Sequence, residues 1–166
     1  MKSIILLGMM FIGVSAWALQ PGDAAPDMEV DCTNGSKVNL TDHKGSWVVV
    51  FFYPRAFTPG CTAQSCSMRD DYSQFKEAGI VVYGASLDNL ERQNAFKKEY
   101  ELPYELLADP DKRLAKAFDT LGMGGMIASR NTFIINPEGN IAHRFNGART
   151  SGHAEEVMTK LKSFMD

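Results

Sequence analysis

The sequence predicts an α/β domain with a mixed central sheet flanked by helices. Three observations predict it. Short β-rich apolar runs alternate with segments of helical period. One of those runs, Trp47 to Tyr53, is apolar throughout, as a central strand covered on both faces must be. The last third pairs two short strand-like segments across a Pro-Glu-Gly-Asn turn before a closing amphipathic helix.

The elements follow in order. The segments Met28 to Val30 and Lys37 to Leu40 read as a weak strand pair around the turn signal Asn34-Gly35. After Trp47 to Tyr53, Pro54 ends the strand and a loop leads to Thr58, a helix N-cap residue with Pro59 in the first helical position. The helix is expected to run to Ala78, with Cys61, Met68, Tyr72 and Phe75 on one face and Gly79 as its stop. A second strand, Ile80 to Ser86, precedes a polar helix over Asn89 to Tyr100. Tyr104 to Ala108 reads as a short strand, and Asp111 to about Leu121 as a helix. Leu121 to Met126 is expected to be a flexible Gly-rich loop. Asn131 to Asn136 and Ile141 to Phe145 form the hairpin. Ser151 is placed to cap a final helix with Val157, Leu161 and Phe164 inward. This order fits a thioredoxin-like fold.

Composition narrows the function classes. A chain of 166 residues is one domain in size, with 45% hydrophobic and 22% charged residues. A formal charge of -3 without basic blocks points away from nucleic acid. His43, His143 and His153 lack ligand spacing, so no metal is expected. A methionine copper site at Met123 and Met126 is a weaker reading than a plain loop. Residues 1–18 read as a leader, with Lys2, the apolar run Ile4 to Val14, and Ala16-Trp17-Ala18 as a cleavage pattern. The functional domain is then 19–166, in an exported, periplasmic or secreted protein without stable membrane association once the leader is removed.

The chemistry concentrates between Pro54 and Cys66. A cysteine in the first turn of a helix faces unpaired N–H groups and the positive end of the dipole. Both favour the thiolate, the reactive species of Cys61. The same N–H groups can hold an oxygen that gains negative charge. Thr58, one turn earlier, can orient the sulfur or a bound molecule. Cys66 cannot meet Cys61 while the helix is intact, because five residues rise roughly 7.5 Å and rotate about 140°. A disulfide needs the two Cα atoms within roughly 7 Å. A bridge between them therefore requires local unwinding, which suits a transient bond better than a permanent staple. Cys32 is expected to be a half-buried spectator.

The pattern Pro54-x-x-x-Thr58-x-x-Cys61, continued to Cys66, resembles the active-site signature of the peroxiredoxins, in their bacterioferritin comigratory protein or peroxiredoxin Q subgroup. The similarity runs from Pro21-Gly22-Asp23 to the last helix, and Ser129 to Asn136 is similar to the family's arginine-bearing segment. The resemblance implies a thiol peroxidase without cofactor. Cys61 would be peroxidatic and Cys66 resolving, Pro54 would shield the site, and Thr58, Gly60 and Arg130 would bind the peroxide with Cys61. The resemblance alone selects Arg130 from among Arg55, Arg69, Arg144 and Arg149. It also implies hydrogen peroxide and organic hydroperoxides as substrates, and thioredoxin or a thioredoxin-like reductant as electron donor. A resolving cysteine within the same chain makes a monomer the default. Two other readings remain: an exported thiol–disulfide oxidoreductase or copper chaperone of the same fold, and a secreted domain stapled by Cys61–Cys66. The four residues between the cysteines weigh against the first, since those proteins space their pair more closely.

Overall fold

A computed structural model describes residues 19–166; the leader expected at residues 1–18 lies outside the described residues. Nine strands and five α-helices follow one another through these residues. The strands are β1 (Glu29–Cys32), β2 (Lys37–Asn39), β3 (Val48–Phe52), β4 (Val81–Ser86), β5 (Glu105–Ala108), β6 (Leu121–Gly122), β7 (Ile127–Ala128), β8 (Thr132–Ile135) and β9 (Ile141–Phe145). The helices are α1 (Pro59–Asp70), α2 (Tyr72–Glu77), α3 (Leu90–Glu99), α4 (Arg113–Ala117) and α5 (His153–Met165).

Seven strands form one sheet in the order β2-β1-β5-β4-β3-β8-β9. The strands β3, β4 and β5 are parallel, and the outer pairs are antiparallel, so the sheet is mixed. With helices covering it, this is the thioredoxin-like α/β architecture. Strand β3 alternates its burial between two cores. Val49 and Phe51 face Met68, Phe75, Phe96, Val157 and Leu161, whereas Val48, Val50 and Phe52 face Leu114, Phe118 and Phe133. Two-sided covering is why this strand reads as an unbroken apolar run.

Several local expectations change. Leu40 leaves the strand to open a 3-10 turn, Leu40–His43, capped by Asn39, whose Oδ1 accepts from the Thr41 N–H. The long helix breaks at Asp71 into α1 and α2. The adjacent residues Asp70 and Asp71 are poor helix formers in the middle of the run. Cys61, Met68 and Phe75 still share the buried face. The helix expected over 111–121 is reduced to α4, because Lys112 and Asp119 both take left-handed backbone. The buried Asp109 carboxylate accepts from the N–H groups of Leu114 and Ala115 at 3.0 and 2.8 Å, anchoring its first turn. The Gly-rich segment is an ordered hairpin, β6 to β7, rather than a plain loop. Ser151 does not cap α5; Gly152 holds that position with φ 69, where a β-carbon would be strained. Phe164 is partly exposed and stacks on Trp47, 5.7 Å between ring centroids. No helix among the described residues is long and apolar enough to cross a membrane.

Candidate active site

The site forms where β3 ends. Phe52 and Tyr53 close the strand, residues 54–58 turn outward, and α1 starts at Pro59. Thr58 occupies the N-cap with extended backbone, but its hydroxyl does not cap the helix. Instead Oγ1 donates to the Arg55 carbonyl at 2.9 Å, leaving its lone pairs available as acceptors. Cys61, the third residue of α1, is fully buried, and its Sγ accepts from the Arg55 N–H at 3.5 Å. Pro54, which opens the loop after the strand, is half-buried.

Arg130 arrives from the far end of the chain for a topological reason. Strand β8 is antiparallel to β3, so the start of β8 lies beside the end of β3. The Phe52 N–H donates to the Asn131 carbonyl at 2.8 Å, which fixes the backbone next to Arg130. Its guanidinium then lies against the first turn of α1. A β-carbon added at Gly60 would stand 2.6 Å from Arg130 Nη2, closer than any real contact. Only glycine lets the cation come so near. Arg130 Nη1 donates to Gln64 Oε1 at 2.9 Å.

The other arginines are committed elsewhere or exposed. Arg69 binds Asp70 and the Tyr100 carbonyl, Arg144 binds Asn146 and the Asp119 carbonyl, and Arg55 and Arg149 are exposed. Gln64 was not foreseen. It is fully buried, accepts from Arg130 and lies 3.5 Å from the Phe52 carbonyl through Nε2. A glutamine three residues after Cys61, on the inward side of the helix, was the available signal.

Cys66 is half-buried on the same helix, and Cys32, Cys61 and Cys66 are all free thiols. No staple closes 61 to 66, and the intact α1 keeps the two positions on different faces. Cys32 is fully rather than half buried, and burial pushes its thiol above the usual range. That suits an inert core residue. Among the described residues no group of three or more His, Cys, Asp or Glu could hold a metal ion.

Comparisons with known proteins identify the family and the fold. A model of the AhpC/TSA family matches residues 21–144. The chain is 35% identical over 154 residues to peroxiredoxin Bcp of Bacillus subtilis, covering 89% of this chain and 98% of that protein. It is 37% identical over 150 residues to peroxiredoxin Bcp of Escherichia coli, covering 87% and 96%. The chain belongs to the AhpC/TSA family, in the peroxiredoxin Q or bacterioferritin comigratory protein subgroup.

Solved structures agree. A mutant of Xylella fastidiosa PrxQ superposes with a TM-score of 0.84 at 28% identity, covering 90% of this chain and 99% of that one. The bacterioferritin comigratory protein of Xanthomonas campestris, described with alkyl peroxide reduction activity, gives 0.81 at 27%, covering 89% and 100%. This peroxiredoxin is therefore an enzyme that reduces peroxide through cysteine chemistry. Nothing in the comparisons signals a copper chaperone. The expectation of a periplasmic or secreted protein is overturned. It rested on residues 1–18 alone, whereas the relatives matched by the rest of the chain are cytoplasmic thiol peroxidases.

Proposed function

We propose that Cys61 is the peroxidatic cysteine and Cys66 the resolving one. The Cys61 sulfur attacks the terminal oxygen of ROOH, the O–O bond breaks, and the leaving oxygen takes a proton to depart as water or alcohol. Cys61 is left as a sulfenic acid. The start of α1 then unwinds, the Cys66 thiol displaces the sulfenic oxygen as water, and an intramolecular disulfide forms. A dithiol donor returns both thiols by exchange and leaves oxidised.

The observation that carries this reading is a buried free thiol in the first turn of α1, with the Arg130 guanidinium pressed against the adjacent Gly60. Arg130 and the free N–H groups of that turn can stabilise the negative charge on the departing oxygen. Thr58, its proton engaged by the Arg55 carbonyl, accepts a hydrogen bond from the peroxide. Pro54 limits the approach of water. Hydrogen peroxide and organic hydroperoxides are both substrates, as the alkyl peroxide reduction named for the Xanthomonas relative supports. Thioredoxin is the donor, and because both cysteines lie on one chain the cycle runs in a monomer.

Coupled NADPH oxidation with thioredoxin and its reductase tests the cycle, using hydrogen peroxide and cumene hydroperoxide in turn. Turnover with both peroxides is expected for the wild type. Cys61→Ser should abolish it and Cys66→Ser should stop it after one turnover. Full multiple-turnover activity of Cys61→Ser would refute the assignment.

A further inference from the structure

We propose that Asp88 and Arg92 are positioning residues that hold the 54–58 loop in register with Cys61. Neither is near the Pro54-to-Cys66 stretch in sequence. Asp88 follows β4, and Arg92 lies in the first turn of α3. They act on Ala56, a fully buried loop residue whose backbone polar groups would otherwise have no partner from a sheet or helix. Asp88 Oδ2 accepts from the Ala56 N–H at 2.7 Å, and Arg92 Nη2 donates to the Ala56 carbonyl at 2.8 Å. The two side chains pair with each other, Arg92 Nε lying 3.1 Å from Asp88 Oδ1. The Ser86 hydroxyl also donates to Asp88 Oδ2 at 2.7 Å, which fixes the carboxylate rotamer. One ion pair thus grips both hydrogen-bonding groups of a single loop residue.

The consequences reach the sulfur in one step on either side. Arg55, just before Ala56, presents its N–H to Cys61 Sγ and its carbonyl to the Thr58 hydroxyl. Phe57, just after, holds a left-handed backbone at φ 67, a strained conformation for a bulky side chain. The Arg92 guanidinium lies 5.1 Å from the Phe57 ring centroid, and Phe96 meets the ring edge-on at 5.2 Å. The clamp therefore also holds down the strained residue that precedes Thr58. The Asp88 side chain is only 8% exposed, and removing its partner would leave a nearly buried charge. A loop that needed only to close the chain would not require that cost.

The test is single-turnover oxidation of pre-reduced protein by hydrogen peroxide, read by quenching and mass spectrometry of Cys61, in Arg92→Ala, Asp88→Ala and the double variant. Each is measured well below its own Tm. Cys61 oxidation should slow about tenfold or more in each single variant, since misplacement on the order of 1 Å can cost about 100-fold. The double variant should be no slower than the worse single one, because both groups act through Ala56. Alkylation of Cys61 by iodoacetamide, which needs no aligned O–O bond, should fall by less than about threefold. Rates within about twofold of wild type in folded Arg92→Ala would overturn the proposal, as would equal losses in both reactions or a double variant slowed by the product of the singles. Should Asp88→Ala not fold, Arg92→Ala still decides, its side chain being 38% exposed. The inference rests on Cys61 being the attacking thiol. Failure of the wild type to oxidise at Cys61 would remove that assignment, whereas fast oxidation of wild type and variant alike would remove only the clamp.

Discussion

Gly60→Ala separates positioning of Arg130 from stability of the fold. The added β-carbon would stand 2.6 Å from Arg130 Nη2 and 3.4 Å from Cζ, with Thr150 Cγ2 at 3.5 Å. Ordinary contact begins near 3.4 Å, so the guanidinium must retreat by about 0.8 Å. It is the far end of a flexible side chain, so the retreat costs little folding energy. It does move the cation off the first turn of α1 and strains its 2.9 Å hydrogen bond to Gln64. Gly60 has no positive φ, and alanine is the better helix former by about 0.5–1 kcal/mol. Thermal stability should therefore hold or rise slightly while Cys61 oxidation by hydrogen peroxide slows by about 10- to 100-fold. Stopped-flow oxidation alongside a thermal melt reads both. A rate within about twofold of wild type in the folded variant would refute the idea that Arg130 acts from this position.

Two further outcomes concern stability. His153 is fully buried between Thr132 Oγ1 at 2.8 Å and Glu156 Oε2 at 3.3 Å, and burial lowers its imidazole below the usual range despite that carboxylate. Burial lowers His43 and His143 in the same direction. The unfolded chain then takes up protons first, so stability is complete above about pH 6.5 and is lost as pH falls through that value. Tm at pH 5.5 should lie below Tm at pH 7.5, and His153→Gln should flatten the slope; an unchanged slope in that variant would exclude His153 as a contributor. Burial raises the Asp109 carboxyl, which acts with the opposite sign: its contribution is lost as pH rises through its raised folded value, and His153→Gln leaves it in place. In the second core, the Phe133 ring meets Phe118 at 4.7 Å and Phe52 at 6.0 Å between centroids. Phe133→Ala should cost about 3–5 kcal/mol by denaturant unfolding, and a loss under 1 kcal/mol would contradict its central place in that core.

Local chemistry was legible in the sequence because it is carried by spacing along one helix. Thr58, Pro59, Cys61 and Cys66 fall where a strand end and a helix start put them, and a five-residue separation fixes their faces without further structure. Arg130 was not legible in that way. Its place depends on β8 pairing antiparallel with β3, and only the family resemblance singled it out from the other arginines. Gln64 looks like an ordinary helix residue until Arg130 is brought onto it. The clamp of Asp88 and Arg92 on Ala56 is equally long-range, 32 and 36 residues away along the chain. In the fold, the large strands were legible from two-sided burial. The two-residue strands β6 and β7 were not, since Leu121 to Ala128 offers too few side chains for any period. The break at Asp71 was also missed, because Met68, Tyr72 and Phe75 keep an apolar face across it.

The transient bridge between two cysteines of one helix is tested most directly by mass spectrometry of the reduced protein after one equivalent of hydrogen peroxide. The mechanism predicts rapid loss of two thiols into a Cys61–Cys66 disulfide, with Cys32 untouched and a dimedone-trappable sulfenic acid at Cys61 in Cys66→Ser. A disulfide that forms at an unchanged rate in Cys61→Ser, or peroxide that leaves Cys61 reduced, would contradict it.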